Sequence, residues 1–456
     1  MLNVGDIVSH NLYGKGEIIS TRNHGYFVNV RFSDYSREMI CTSVKIIGQN
    51  QASQTIQSNI VKKPITAKAN PSVFSNVGSS PRSMIEAFRL GVVPYGAVNN
   101  FTFGRDKEIN IIKNWLKPDS NGALIIRSGY GSGKSHLLDY INGYAAENQY
   151  AVCSAEFDHE TPPYRPKLIY RQFVTSFRLR VNNRELSFRD FIRELVSKQI
   201  FIYSPRGYIN PIIELVKKNN GDPDLWDWVE GNRSGRYYGL GFFDNGTASN
   251  IYCHLIAEIA AATRCIQGVN GLVIALDEAE RVNDATKIQQ VKGWHFVRGL
   301  TMLSANDPRL INENVTWDPC PEGSYFGAKT RLVYSGHEKD LGYCVDMPSN
   351  IKVVFAFTDG RYNMENWLGD WGIGHIPMKL ETISESSQRE IFIRIYNLYK
   401  SCWDINLSDA TLTCAYNTVK LKTQYQNGVI RYFIKGTVEI LDILRYNPSL
   451  LPEEIE

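Results

Sequence analysis

Residues 123–138 read Ala-Leu-Ile-Ile-Arg-Ser-Gly-Tyr-Gly-Ser-Gly-Lys-Ser-His-Leu-Leu, and the fold class turns on them. An apolar strand leads into a loop with glycine at every second position, and a helical pattern opens at Lys134. In such a strand–loop–helix, Gly129, Gly131 and Gly133 let successive backbone N–H groups turn inward on an anion, and the helix N-terminus adds its dipole. Ser128, Tyr130 and Ser132 complete the loop and His136 follows it; Lys134 would reach the outer phosphates of ATP, and Ser135 would hold Mg2+. The usual pattern GxxxxGK[ST] begins with glycine, and Ser128 stands in that place, small enough for the loop to close. A glycine- and serine-rich surface loop would spell the same letters, but without a strand and a helix in register on either side.

A phosphate loop of this kind needs a second carboxylate site, and residues 271–278, Gly-Leu-Val-Ile-Ala-Leu-Asp-Glu, supply one. The apolar run reads as a strand buried on both faces, ending in two acids. Asp277 would bind the metal and Glu278 would orient and polarise the attacking water. An ordinary helix N-cap pair after a core strand is the alternative. The string Asp277-Glu-Ala-Glu280 also raises a helicase of the DEAD-box kind, although no Ser-Ala-Thr motif and no second half of that architecture follow.

A third strand, Ile351 to Phe357, runs into Thr358 and Asp359. Thr358 is the first choice for a residue that senses the terminal phosphate; a polar strand end entering a turn at Gly360 would look the same. Arg431, at the start of an amphipathic helix from Val429 to Leu444, could neutralise charge in the transition state, as could any solvated arginine in that position. Upstream, Phe103-Gly104-Arg105 precedes a helix and is expected to form the adenine edge of the pocket through Phe103 and backbone groups.

The chain of 456 residues is long enough for two to four units at roughly 100–200 residues each. Hydrophobic residues make up 43% and charged residues 21%, which excludes a disordered chain. The net charge of +3 does not argue for nucleic acid by itself. The 8 cysteines form no CxxC pair or zinc spacing and read as free thiols in a reducing compartment. No signal peptide and no apolar stretch of membrane-spanning length is present, so a cytoplasmic protein without membrane contact is expected.

Organisation follows from composition. Residues 1–50 alternate short β-branched runs with glycine turns and predict a small antiparallel barrel. Residues 51–82 are polar and nearly free of aromatic residues, a flexible linker in which Lys62, Lys63 and Lys68 would graze DNA phosphates or simply be solvated. Residues 83–385 alternate strands and helices as an α/β core with a parallel sheet, interrupted by irregular insertions at 200–250 and 304–348. Residues 386–456 read as a helical lid.

With these motifs in order, the chain from about residue 83 to 445 resembles the ATP-binding proteins of bacterial BREX phage-defence systems, of the BrxD type. The resemblance rests on Ser83-Met-Ile-Glu-Ala-Phe-Arg-Leu-Gly91-Val-Val-Pro94, Phe103-Gly-Arg, Gly129 to His136, Glu156-Phe-Asp, Leu168-Ile-Tyr and Leu276-Asp-Glu-Ala-Glu280. It implies an AAA+ ATPase in an anti-phage or DNA-processing assembly, with double-stranded DNA and other defence proteins as partners. The first fifty residues resemble a different group, the Tudor-like barrels of CarD-type factors and UvrD-type helicases, through Val4-Gly-Asp-Ile-Val-Ser-His10, Tyr13-Gly-Lys-Gly16 and Val28-Asn-Val-Arg-Phe32. Such barrels bind protein or sometimes DNA; packing on the ATPase or mediating assembly is an equal alternative here. A DNA-coupled motor, an ATP-dependent signalling switch of the STAND type and a helicase-associated ATPase all remain open. An arginine finger from a second copy in a homo-oligomer is expected for this class, with Arg281, Arg298 and Arg309 as candidates for that role.

Overall fold

The protein is described here by a computed structural model. It describes residues 7–10, 14–22, 27–31, 36–40, 45–48, 80–91, 93, 98, 101–182, 184–204, 207–233, 236–237, 240–241, 249–312, 341–359, 368–369, 372–423 and 429–447. The expected linker up to residue 79, most of the 304–348 insertion, and Lys62, Lys63, Lys68 and Gly360 lie outside these residues. The chain divides into two units, Met1–Pro64 and Ile65–Glu456.

In the first unit, β1 (Ile7–His10), β2 (Gly14–Arg22), β3 (Phe27–Arg31), β4 (Ser36–Ile40) and β5 (Lys45–Gly48) form one antiparallel sheet in the order β4-β3-β2-β1-β5. Register shifts occur between Ile7 and Val8 and between Ile18 and Ser20. Such irregularities increase local twist.

The second unit opens with α1 (Pro81–Arg89) and α2 (Asp106–Trp115), followed by β6 (Ala123–Ser128), α3 (Lys134–Glu147), β7 (Tyr150–Glu156) and α4 (Pro166–Ser176). A hairpin of β8 (Leu179–Val181) and β9 (Arg184–Leu186) precedes α5 (Phe188–Ser197), α6 (Ile209–Asn219), α7 (Pro223–Val229) and the short pair β10 (Arg236–Tyr237) and β11 (Leu240–Gly241). Then come α8 (Ser249–Arg264), β12 (Gly271–Asp277), a 3-10 turn at Ala279–Asn283, α9 (Lys287–Ser304), α10 (Arg309–Asn312), β13 (Ile351–Thr358) and β14 (His375–Lys379). The chain closes with α11 (Glu385–Cys402), α12 (Asp409–Thr423) and α13 (Val429–Tyr446).

The central sheet has the order β14-β6-β13-β12-β7, and every pairing in it is parallel. Period-two alternation divides its side chains between two cores. Ala123, Ile125, Leu272, Ile274, Val353 and Phe355 join one core with α4, α8 and α9. Leu124, Ile126, Val273, Ala275, Val354 and Ala356 join the other with α2 and α3. Burial on both faces explains why the strands read as continuous apolar runs rather than alternating ones.

Two features differ from the sequence expectation. The aromatic stretch after residue 200 is not irregular up to Val229: α6 and α7 carry Ile209, Ile212, Trp226 and Trp228 into the main core. Its glycines and asparagines mask a helical period that the tryptophans complete. The C-terminal helices also do not pack by themselves, because α1 packs on both α11 and α13. Arg89 of α1 forms a bidentate ion pair with Asp442 of α13, which also accepts from Tyr399 Oη of α11 at 2.5 Å. Ser80 caps α1 through the Ser83 amide, with Pro81 in the first turn, a start that suits a helix standing ahead of the core.

Candidate functional site: a glycine-rich loop facing two carboxylates

The strand order sets the site. Because β13 lies between β6 and β12, the loop after β6 and the acids after β12 stand one strand apart at the same edge of the sheet. Binding at the carboxyl ends of parallel strands is the general rule for open α/β sheets.

Gly131 and Gly133 take φ of +68° and +97°, left-handed values open to glycine at little cost. A Cβ at Gly129 or Gly133 would meet no atom within 4 Å, so both positions face open space. Lys134 is buried, and its Nζ donates to the carbonyls of Ser128 and Gly129 at 3.3 and 3.1 Å. Ser132 Oγ is buried without a partner. Tyr130 is exposed. Ser135 Oγ donates to Asp277 Oδ2 at 2.6 Å.

Glu278 adopts φ +53°, left-handed for a residue with a side chain. Such conformations cluster where a side chain must be aimed. Its amide donates to Asp277 Oδ1 at 2.9 Å, and its carboxylate lies 3.6 Å from Arg281 Nε. Burial, followed by the charges of Glu280 and Asp277, raises its pKa above the ordinary glutamate value. Arg281 is therefore engaged with Glu278 of its own chain.

Thr358 pairs in register with Ser128 across the sheet, which brings the expected sensor position to the base of the loop. Its amide donates to Glu280 Oε2 at 3.0 Å, while Asp359 accepts from Arg127 Nη2 at 3.2 Å. Arg431 is exposed and packs beside Gly91, at the contact between α13 and α1.

Phe103 is held in the lid contact, with the Arg394 guanidinium 4.5 Å from its ring centroid. Gly104 has φ +63°, and Ser387 Oγ lies only 2.3 Å from where a Cβ would stand. Arg105 does not present its guanidinium to a ligand: it is buried and bonded to Glu108, the carbonyl of Ser132 and the carbonyl of Glu381. His136 Nε2 is 2.8 Å from Thr102 Oγ1. Burial, and then the charge of Arg105, pushes its pKa down to about 4, so the ring is neutral at physiological pH.

Sequence reasoning missed two groups. Asp139, one helical turn beyond Ser135, has its pKa pushed up to about 6 by burial and then by Asp277. Glu156 stands opposite Asp277 in the β7–β12 register, and burial followed by Asp277 raises its pKa as well. The four-residue spacing from Ser135 to Asp139 was the available signal for the first. The second needed the strand pairing. Both line a cavity of about 560 Å3 with Ser135 and Asp277.

This is an α/β fold built on a parallel sheet, with a glycine-rich loop after β6, paired acids after β12 on the far side of β13, and helices α11 to α13 closing the chain. Residues 79–199 match the family described as BREX system ATP-binding protein BrxC/D, so the resemblance carried by the motifs is borne out over that segment, from α1 through α5. No curated protein matches the sequence. Among solved structures the chain is similar to AMPPCP-bound DnaA from Aquifex aeolicus, with 11% identity, a TM-score of 0.32, and coverage of 78% of this chain and 67% of that one. No helix among the described residues is long and apolar enough to cross a membrane.

Proposed function

We propose that the protein is a Mg2+-dependent ATP hydrolase of a bacterial anti-phage defence system. In this reading, nucleotide binding and turnover are coupled to double-stranded DNA or to assembly with defence partners. The observation that carries the reading is the Ser135–Asp277 hydrogen bond beneath an open glycine loop, with Glu278 next in the chain.

The residues fit the groups that the reading requires. Ser135 and Asp277 offer hard oxygen donors side by side, the chemistry that Mg2+ prefers. The open loop, the unpartnered Ser132 hydroxyl and Lys134 suit a polyphosphate, and a metal ion there would supply charge neutralisation at the phosphates. Lys134 would exchange its two carbonyl partners for phosphate oxygens. Glu278, with a raised pKa and a fixed left-handed backbone, would accept a hydrogen bond from the attacking water and orient it. Thr358 and the capping carboxylate of Glu280 would fix the far side of the phosphate position.

Phosphate release from ATP tests the proposal, measured for wild type, Lys134→Ala and Glu278→Gln with and without double-stranded DNA at low and moderate salt. Turnover that DNA raises and both substitutions abolish is the expected result. ATP that binds without turnover and without response to DNA would replace the hydrolase by a nucleotide-bound switch acting on a protein partner. Absence of ATP binding would remove the reading.

A further inference from the structure

Among the described residues the chain passes between the C-terminal helices with α1 and the sheet domain at two places. It enters the sheet domain through residues 101–108, ahead of and into α2, and it returns from β14 through Glu381 to Ser384 into α11. At the place where these passages meet, one side chain touches both of them and the phosphate loop. Arg105 Nη1 donates to the carbonyl of Glu381 at 2.6 Å and to Glu108 Oε1 at 2.9 Å, and Nη2 donates to the carbonyl of Ser132 at 2.9 Å. The arginine is 6% exposed and Glu108 5% exposed.

The neighbouring residues repeat the pattern on either side. Thr102 binds His136 at the start of α3, while Phe103 lies under Arg394 and Gly104 under Ser387, both of α11. Segment 102–105 is thus bonded to the phosphate loop helix and to the lid by adjacent residues.

From this geometry we infer that Arg105 is a positioning residue that carries the state of the phosphate loop to the lid. The planar fork is what allows one side chain to hold two carbonyls on separate segments while its charge is balanced by Glu108; a lysine has the charge without the fork. The Ser132 carbonyl belongs to the same peptide as the Gly133 amide. A rotation of that peptide as N–H groups turn to phosphate changes the bond to Arg105, and the Glu381 carbonyl, sharing the same planar group, must follow. The inference rests on the proposed nucleotide site and concerns its regulation.

Amide hydrogen exchange on the full chain, with and without the non-hydrolysable analogue AMPPNP and Mg2+, tests it for wild type and Arg105→Lys. The expected result is that the analogue protects both 129–137 and 381–388 in wild type. In Arg105→Lys it protects 129–137 alone, at an affinity lower by about five- to tenfold, the scale of one net hydrogen bond. Glu108→Gln, which keeps the shape and removes the balancing charge, should weaken the lid response in the same direction, and it serves if Arg105→Lys does not fold. A lid response in either folded variant equal to that of wild type overturns the inference. So does protection in wild type confined to 129–137. No protection anywhere in wild type removes the nucleotide site itself, and the inference with it.

Discussion

Ser135 Oγ and Asp277 Oδ2 are joined by a 2.6 Å hydrogen bond between residues 142 positions apart in sequence. The bond ties the first turn of α3 to the tip of β12, and both atoms are ones that a hard divalent ion would take. Ser135→Ala removes one donor while leaving the loop amides in place. The Mg2+ concentration for half-maximal turnover is expected to rise about tenfold, in line with the loss of one oxygen ligand contact of ~1.4 kcal/mol. Binding of ATP measured in EDTA should stay unchanged, and a metal titration followed by phosphate release separates the two effects.

Glu278→Gln keeps the side chain's size and removes its ability to act as a base. Turnover should fall by about 10²–10⁴-fold, the usual contribution of a positioned general base. ATP affinity should not decline, because repulsion from a carboxylate beside the phosphates is lost. Single-turnover phosphate release together with equilibrium binding of a fluorescent ATP analogue checks both parts.

Asp139 gives the site a pH signature. Its pKa in the fold is raised to about 6, first by burial and then by Asp277, so it is the ionised form that the fold disfavours. The penalty sets in as pH rises above the ordinary aspartate range and levels off above the folded value. Asp139→Asn should therefore be more stable than wild type at pH 7, by about 1–2 kcal/mol after allowance for screening, and equal to it near pH 4. Denaturant melts at the two pH values decide this, and a gap that grows towards acid would contradict it.

Gly104→Ala combines two costs, a left-handed φ of +63° and a Cβ placed 2.3 Å from Ser387 Oγ. The strain alone is worth about 1–2 kcal/mol, and the contact can be relieved only by moving α11 or rotating Ser387. A lower melting temperature with weakened ATP binding is expected. Gly104→Ala combined with Ser387→Gly should regain the part due to the clash and retain the part due to φ.

The sheet was legible in the sequence because its strands are buried on both faces. Runs such as Leu272 to Leu276 and Val353 to Phe357 had no competing helical period, and the ends of the corresponding strands fell close to where the apolar runs stop. The loop was legible because backbone anion binding needs glycines at close spacing. Asp139 and Glu156 were hidden because their significance lies in proximity to Asp277, which depends on helix phase and strand pairing. The contacts of Arg105 were hidden as well, since a buried arginine that bonds carbonyls of two distant segments leaves no pattern around it. The packing of α1 on α11 and α13 was equally silent, because an amphipathic helix does not state which surface it covers.

The attachment of the lid at two places has a mechanical consequence. A body joined by one strand can swing and twist freely, but one joined by two crossings bonded to each other through Arg105 resists twisting and keeps a single hinge motion about the paired crossings. Rigid elements lie on both sides of each crossing: α1 and α2 flank the first, β14 and α11 the second. Spin labels on α12 and α3 should therefore report one coordinate, along which every nucleotide state of this protein falls on a common arc.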